Sequence, residues 1–275
     1  MKAYARINVS LEKGTKETKK IYKEFKEKMQ KYLYDEGMEL YRVPIDVEEY
    51  TYAKKLVAEY EEEKDGLEIF GFSFFERVYT KKDYENAVAY RVWFLQSSYT
   101  YDYDEIEDIE ECCCEENERR GLYNTIQIKP YYLPKCEFGK RNCTQLDNGG
   151  YAVSKEVRDD LIQLGATEED FWPVYTKKKE IVCYQLMPKH KVSLGEVNGW
   201  KKKIVCPYCG YAHYYDNESQ PIYIDKKKLE KLKVLNATEE TSGSVPKYLI
   251  VNKETYQFLT QKYKRMNFER IFLKE

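Results

Sequence analysis

Histidine is almost missing from this chain: two of 275 residues, His190 and His213. Also missing are a P-loop, an HExxH, a GxSxG and a GxGxxG. Those absences remove the usual phosphate cradle, zinc-hydrolase helix, nucleophile elbow and dinucleotide fingerprint. His190 lies in the basic run Pro188-Lys-His-Lys191, a poor setting for a general base, and His213 is either a ligand or a strand residue. The expectation is a protein that is not an enzyme. No apolar run approaches the roughly 18 residues of a membrane span. Met1 to Ser10 alternates like a strand and holds no apolar leader. A cytoplasmic location without a membrane partner is expected, where the eight cysteines read as thiols or metal ligands rather than disulfides.

What is present is a composition 42% hydrophobic and 34% charged, as in a globular protein with a full core. The 28 tyrosines either follow a coding bias that also inflates lysine or supply contact surface. Charge is uneven: residues 1–150 hold 24 basic and 31 acidic side chains, residues 151–275 hold 22 and 17. Between Asp102 and Glu118 there are ten carboxylates and no Lys or Arg. Such a block is either a solvated, self-repelling loop or a lure for a basic partner.

The chain also carries a faint internal duplication. Tyr90-Arg-Val-Trp-Phe94 precedes Tyr184-Gln-Leu-Met-Pro188 by 94 positions, and the same offset carries Cys112 onto Cys206. Ile126–Ile128 falls against Ile222–Ile224 at 96, Val153–Glu156 against Val251–Glu254 at 98, and Phe171–Val174 against Phe268–Ile271 at 97. The division implied is 1–80, an N-terminal unit; 81–178, a first repeat with the acidic loop 102–118; and 179–275, a second repeat with a cysteine knuckle.

Hydrophobic periodicity predicts β-α-β-α-β for the first unit: strand 2–10, helix 15–34, strand 38–43, a helix capped by Asp46 and running to about Glu63, and strand 67–79 after Asp65-Gly66. Each repeat then reads as a strand (Tyr90–Leu95; Ile181–Met187), a cysteine turn, and a strand (Asn124–Lys129; Pro221–Asp225). A strand entering a helix follows (Tyr151–Leu164; Tyr248–Tyr263), then a last strand (Phe171–Tyr175; Phe268–Leu273). Ser154 and Asn252 stand where those helices begin and suit N-caps. The class expected is α+β.

Cys206-Pro-Tyr-Cys209-Gly210 has the spacing at which two thiolates face one tetrahedral ion, and flanking strands 202–205 and 211–215 make it a zinc-ribbon hairpin. A structural Zn²⁺ is the cofactor expected, with Cys112, Cys114, Cys136 and Cys143 as candidates for the remaining ligands; reduced, partly buried thiols are the plainer reading. Tandem halves, each with a cysteine turn and then an apolar strand entering a helix, resemble the double-CxxCG-motif proteins of bacteria. Here Cys206, Cys209 and Gly210 keep that motif, while Cys112-Cys113-Cys114-Glu115 departs from it. The resemblance implies immunity-type proteins that neutralise toxins of competing cells.

Two functions are therefore carried forward. One is a protein-binding inhibitor that occludes its partner, a basic toxin or a defence-complex subunit, through Tyr101, Tyr103, Asp104, Glu107 and Asp108: aromatic anchors with a carboxylate rim. The other is a nucleic-acid-binding ribbon, in which Lys201, Lys202, Lys203, Tyr208 and Tyr211 alternate cations with base-stacking rings.

Overall fold

The computed structural model describes residues 1–60, 66–94, 131–132, 142–145, 150–176, 178–205, 212–215, 220–242, 245–263 and 266–275. The fold is α+β. It divides into two compact units, Met1–Glu85 with Glu218–Pro221, and Asn86–Asn217 with Ile222–Glu275.

In the first unit the alternation of β1 (Lys2–Leu11) buries Ala3, Ala5, Ile7 and Val9 on one face. Helix α1 (Lys16–Met29) starts where the Thr15 side chain accepts from Thr18 N–H at 3.2 Å. It is shorter than the predicted 15–34: its apolar stripe ends at Met29, and a 3-10 turn at Gln30–Tyr32 leads into the unforeseen strand β2 (Leu33–Asp35). Strand β3 (Leu40–Pro44) begins after Met38, which is exposed. Helix α2 (Glu48–Glu59) is capped by the extended backbone of Val47 rather than by Asp46, and Glu48 and Glu49 face its positive end. Strand β4 (Leu67–Val78) follows, then helix α3 (Lys81–Asn86).

Gly66 opens β4 with φ of +77°, and a Cβ there would lie 1.6 Å from the Glu12 carbonyl oxygen. Only glycine fits that turn. The sheet order is β2-β3-β1-β4, with each neighbouring pair antiparallel. Together with the chain order β-α-β-β-α-β, this is the split-βαβ, ferredoxin-like arrangement. Both helices pack on the odd-numbered face of β1. Phe25, Met29, Tyr41, Val43, Ala53, Leu67 and Ile69 close that core, and each large side chain buried there contributes about 1.5–3 kcal/mol.

The second unit contains β5 (Ala89–Trp93), β6 (Tyr131–Tyr132), β7 (Cys143–Gln145), β8 (Tyr151–Val153), α4 (Lys155–Gln163), β9 (Phe171–Tyr175) and β10 (Ile181–Leu186). After these come β11 (Lys191–Val192), α5 (Gly195–Asn198), β12 (Lys201–Val205), β13 (Ala212–Tyr215), β14 (Ile222–Ile224) and α6 (Lys226–Leu229). The chain ends with β15 (Leu235–Ser242), β16 (Val245–Asn252), α7 (Lys253–Lys262) and β17 (Asn267–Leu273).

Among the described residues these strands form two sheets, one in the order β6-β9-β10-β8-β7 and the other β12-β13-β15-β16-β5-β17-β14, with β11 beside β15. Five strands of each correspond. In each set the middle strand comes from the other half of the sequence: β10 lies between β8 and β9, and β5 between β16 and β17. The registers agree residue for residue. Tyr184 faces Val153 as Tyr90 faces Val251, and Leu186 faces Phe171 as Val92 faces Phe268.

A parallel strand then flanks each set, β6 on β9 and β14 on β17. The predicted strand 124–129 lies outside the described residues, and the parallel partner of β9 is Tyr131–Tyr132. Ser154 and Asn252 cap α4 and α7 as their side chains accept from Val157 and Thr255 N–H groups. One apolar cluster takes residues from both halves, including Tyr90, Val92, Tyr151, Val157, Leu161, Phe171, Leu186, Val251, Leu259 and Phe268. Among the described residues, the strands drawn from 86–178 and those drawn from 179–275 are thus interleaved within one unit.

Candidate functional site

Most residues nominated by sequence fall outside the described residues: Tyr101, Tyr103, Asp104, Glu107, Asp108, Cys112, Cys114, Cys136, Cys206, Cys209, Tyr208 and Tyr211. Cys143 lies within them, buried on β7 in the apolar cluster with Phe94, Tyr151 and Val153. Strands β12 and β13 pair antiparallel, with Val205 against Ala212 on either side of the knuckle residues 206–211. The same register sets Lys201 across from Tyr215 and Lys202 across from Tyr214. Among the described residues no group of three or more His, Cys, Asp or Glu side chains is placed to hold a metal ion.

Three interior polar groups hold the second unit together. Asn236 is fully buried; its amide donates to the carbonyls of Lys233 and Ile250, and its oxygen accepts from Lys233 N–H. His190 Nδ1 lies 2.9 Å from that same oxygen, so the tautomer protonated at Nδ1 satisfies both. Glu240, also buried, accepts from the Leu194 and Gly195 N–H groups at 3.0 and 2.7 Å and from the Ser193 hydroxyl. It thereby supplies an acceptor to the N–H groups at the start of α5. Asp160 on α4 accepts from Lys262 Nζ at 2.7 Å and from the Tyr263 hydroxyl, which joins the ends of α4 and α7. Burial, and then the carboxylate beside it, push the Tyr263 phenol well above its ordinary value.

The sites that sequence reasoning missed lie on the outer face of the first sheet. The helices cover the odd positions of β1, so Tyr4, Arg6 and Asn8 face the other way. Register sets Arg6 beside Arg42 of β3 and Tyr4 beside Glu76 of β4. The Glu76 carboxylate accepts from Arg42 Nε at 2.8 Å and Nη2 at 3.0 Å, and from Arg6 Nη2 at 3.4 Å. This fork fixes the Arg42 guanidinium 4.2 Å from the Tyr4 ring centroid and 5.9 Å from that of Tyr34. Arg6 stands 5.8 Å from the Tyr34 ring, which is 59% exposed.

The result is a row of two aromatic rings and two guanidinium planes on an open sheet face. Its charge is one net positive over Arg6, Glu76 and Arg42. The alternation of β1 was a usable signal, but nothing local ties Tyr4 to Tyr34, Arg42 and Glu76.

No protein-family model, curated protein or solved structure matches this chain. Among the described residues no helix is long and apolar enough to cross a membrane.

Proposed function

We propose that the chain is a non-enzymatic binding protein that inhibits a partner protein by occluding it, in the manner of an immunity protein or an inhibitor of a defence complex. The observation that carries this reading is where the two conspicuous segments attach. In each half the connection from the exchanged strand to the last strand of the matched set is long: Phe94 to Asn142 between β5 and β7, and Met187 to Val234 between β10 and β15. The acidic, tyrosine-bearing segment 102–118 occupies the first of these connections and the cysteine knuckle the second. Long connections on a scaffold pinned by interleaved strands are the usual carriers of recognition.

The interior acids and His190 support the same reading, since each is engaged in bracing the scaffold. Tyr101, Tyr103, Asp104, Glu107 and Asp108 would then contact a basic partner surface, with association that weakens as salt rises. A structural Zn²⁺ at Cys206 and Cys209 would stiffen the second connection, and the antiparallel pairing of β12 with β13 suits such a knuckle. Zinc would supply rigidity there.

The test is capture of the tagged protein with its bound partner, with and without nuclease, repeated after replacing those five residues by Ala or Ser. A single protein that survives nuclease and is lost with the five substitutions is the expected result. A partner retained unchanged by the substituted protein would overturn the placement. Zinc is checked separately by elemental analysis: about one ion per chain, lost on Cys206→Ser, is expected.

A second reading, nucleic-acid binding at the ribbon, draws on the pairing of Lys201 and Lys202 with Tyr215 and Tyr214. It predicts that substituting Lys201, Lys202 and Lys203 removes a nuclease-sensitive retained fraction.

A further inference from the structure

We infer that the open face of the N-terminal sheet binds single-stranded nucleic acid, stacking bases on Tyr4 and Tyr34 and holding phosphate beside Arg6 and Arg42. The argument concerns a different unit from the partner reading above and stands without it.

Three observations carry the inference. First, the four strands β2-β3-β1-β4 pack their helices against one face, and on the other face the central strands carry Tyr4, Arg6, Asn8 and Arg42, each partly exposed. A sheet of this kind is a platform on which unstacked bases lie flat when aromatic side chains project from it. Second, the face carries the required groups. Tyr34 is 59% exposed, Tyr4 is half-buried on the central strand, and the Arg6 and Arg42 guanidiniums stand within 6 Å of those rings. Tyrosine rings and guanidinium planes both stack on bases, and every base offers a π-face, so such a row is tolerant of sequence.

Third, Glu76 fixes the row. With two hydrogen bonds to Arg42 and one to Arg6, it holds both guanidiniums beside the Tyr4 and Tyr34 rings. One carboxylate between two arginines leaves a net positive charge, which suits a phosphate backbone. The site differs in one respect from a sheet with aromatic residues on both central strands. Arg42 holds the central β3 position, and the second ring, Tyr34, stands on the edge strand β2. Occupancy of two or three nucleotides with modest sequence preference is therefore the expectation.

Fold alone would not support this, because the same arrangement serves many functions. The projecting residues do. A protein docked on the same face would favour an apolar centre, whereas the central strands here set Arg6 beside Arg42, both ion-paired to Glu76 of β4 and flanked by rings.

The experiment is fluorescence anisotropy with labelled 12-nucleotide oligo-U RNA and oligo-dT DNA on the full chain. Variants are Tyr34→Ala, Tyr4→Ala with Tyr34→Ala, and Lys201→Ala with Lys202→Ala and Lys203→Ala. Tyr34 is exposed on an edge strand, so its truncation leaves the core intact, and circular dichroism checks the fold of each variant. Binding to one or both oligonucleotides is expected, weakening with salt and falling about five-fold or more for each ring removed. The tighter of the two oligonucleotides names the natural strand. The triple lysine variant should bind as the parent does. Absence of binding to either strand, binding indifferent to both tyrosines, or binding lost only in the lysine variant would each overturn the inference. So would a protein partner retained through Tyr4 and Tyr34 in the absence of oligonucleotide affinity.

Discussion

The rings of Tyr90 and Tyr256 lie face to face, with centroids 3.5 Å apart and planes 7° from parallel. Tyr90 is on the exchanged strand β5 and Tyr256 on helix α7, so the contact fastens one half of the sequence to the other. At the corresponding place in the other half, the Arg158 guanidinium of α4 lies 4.6 Å from the Tyr184 ring of β10. A third side chain completes each group: Phe268 edge-on to Tyr256 at 5.2 Å, and Phe171 at 5.9 Å from Arg158.

The two groups should contribute unequally. Tyr256→Ala removes a ring packed between two others and is expected to lower stability by about 2–4 kcal/mol. Arg158→Ala removes a cation that also reaches Asp159 and Glu168, and about 1 kcal/mol is expected. Urea unfolding of the two variants beside the parent measures both, and an equal loss would show that the halves are not fastened differently.

Glu240 is the second test, because two backbone N–H groups depend on it. Glu240→Ala leaves the donors of Leu194 and Gly195 buried without their acceptor, a loss of about 2–4 kcal/mol. Gly195→Ala should act on the same contact, since its Cβ would fall 2.8 Å from Glu240 Oε1. Thermal unfolding should show each as a fall of several degrees in Tm, and a silent Gly195→Ala would mean that the carboxylate can shift without loss.

Acid titration probes the start of α3. Thr80 N–H donates to Asp83 at 2.6 Å and its hydroxyl donates at 2.8 Å, while Asp83 N–H donates back to the Thr80 hydroxyl. Chiefly through the Thr80 backbone bond, the Asp83 carboxyl is pulled down to about 2 from 3.8. A depressed carboxyl stabilises fully above its unfolded value, and that share is lost as pH falls from about 4 toward 2. Carboxyl NMR titration should find the low value, and Asp83→Asn should remove this part of the acid dependence.

Alkaline pH probes the other end of the charge scale. Lys262 and Tyr263 both hold their protons more firmly than usual, Lys262 through its hydrogen bond to Asp160 and Tyr263 through burial and the same carboxylate. Groups raised in the folded state stabilise it below their unfolded values and lose that contribution as pH climbs past them. Stability should therefore hold to about pH 10, the ordinary tyrosine value being 10.0, and decline beyond it. Tyr263→Phe should flatten the tyrosine part of that decline while lowering neutral-pH stability, since Asp160 loses a donor. Ultraviolet titration of the phenols, read beside unfolding at each pH, tests this; an unchanged alkaline slope would remove Tyr263 from the account.

The amino-acid sequence by itself settled what local chemistry can settle. Alternation in Ala3, Ala5, Ile7 and Val9 named the buried face of β1, because successive side chains on a strand point to opposite sides. Ser154 and Asn252 named two helix starts, because their short polar side chains reach the orphan N–H groups. Asp65-Gly66 marked a turn that only glycine can make. The likeness of Tyr90, Val153 and Phe171 to Tyr184, Val251 and Phe268 foreshadowed matched registers, since residues in like positions meet like neighbours.

Tertiary structure decided with whom each element pairs. Residues 89–92 of β5 are buried on both faces, and nothing in them carries a label for the strand beside, so its place between β16 and β17 was not readable. The same holds for the open face: Arg6, Arg42 and Glu76 are strangers along the chain, and their ion-paired row exists only because β3 and β4 both pair with β1. A short strand such as β2 was lost at the end of a helical pattern, where Tyr32 still fits the helix spacing. Long-range pairing is won by cores and registers summed over the whole fold, and no single segment holds that sum.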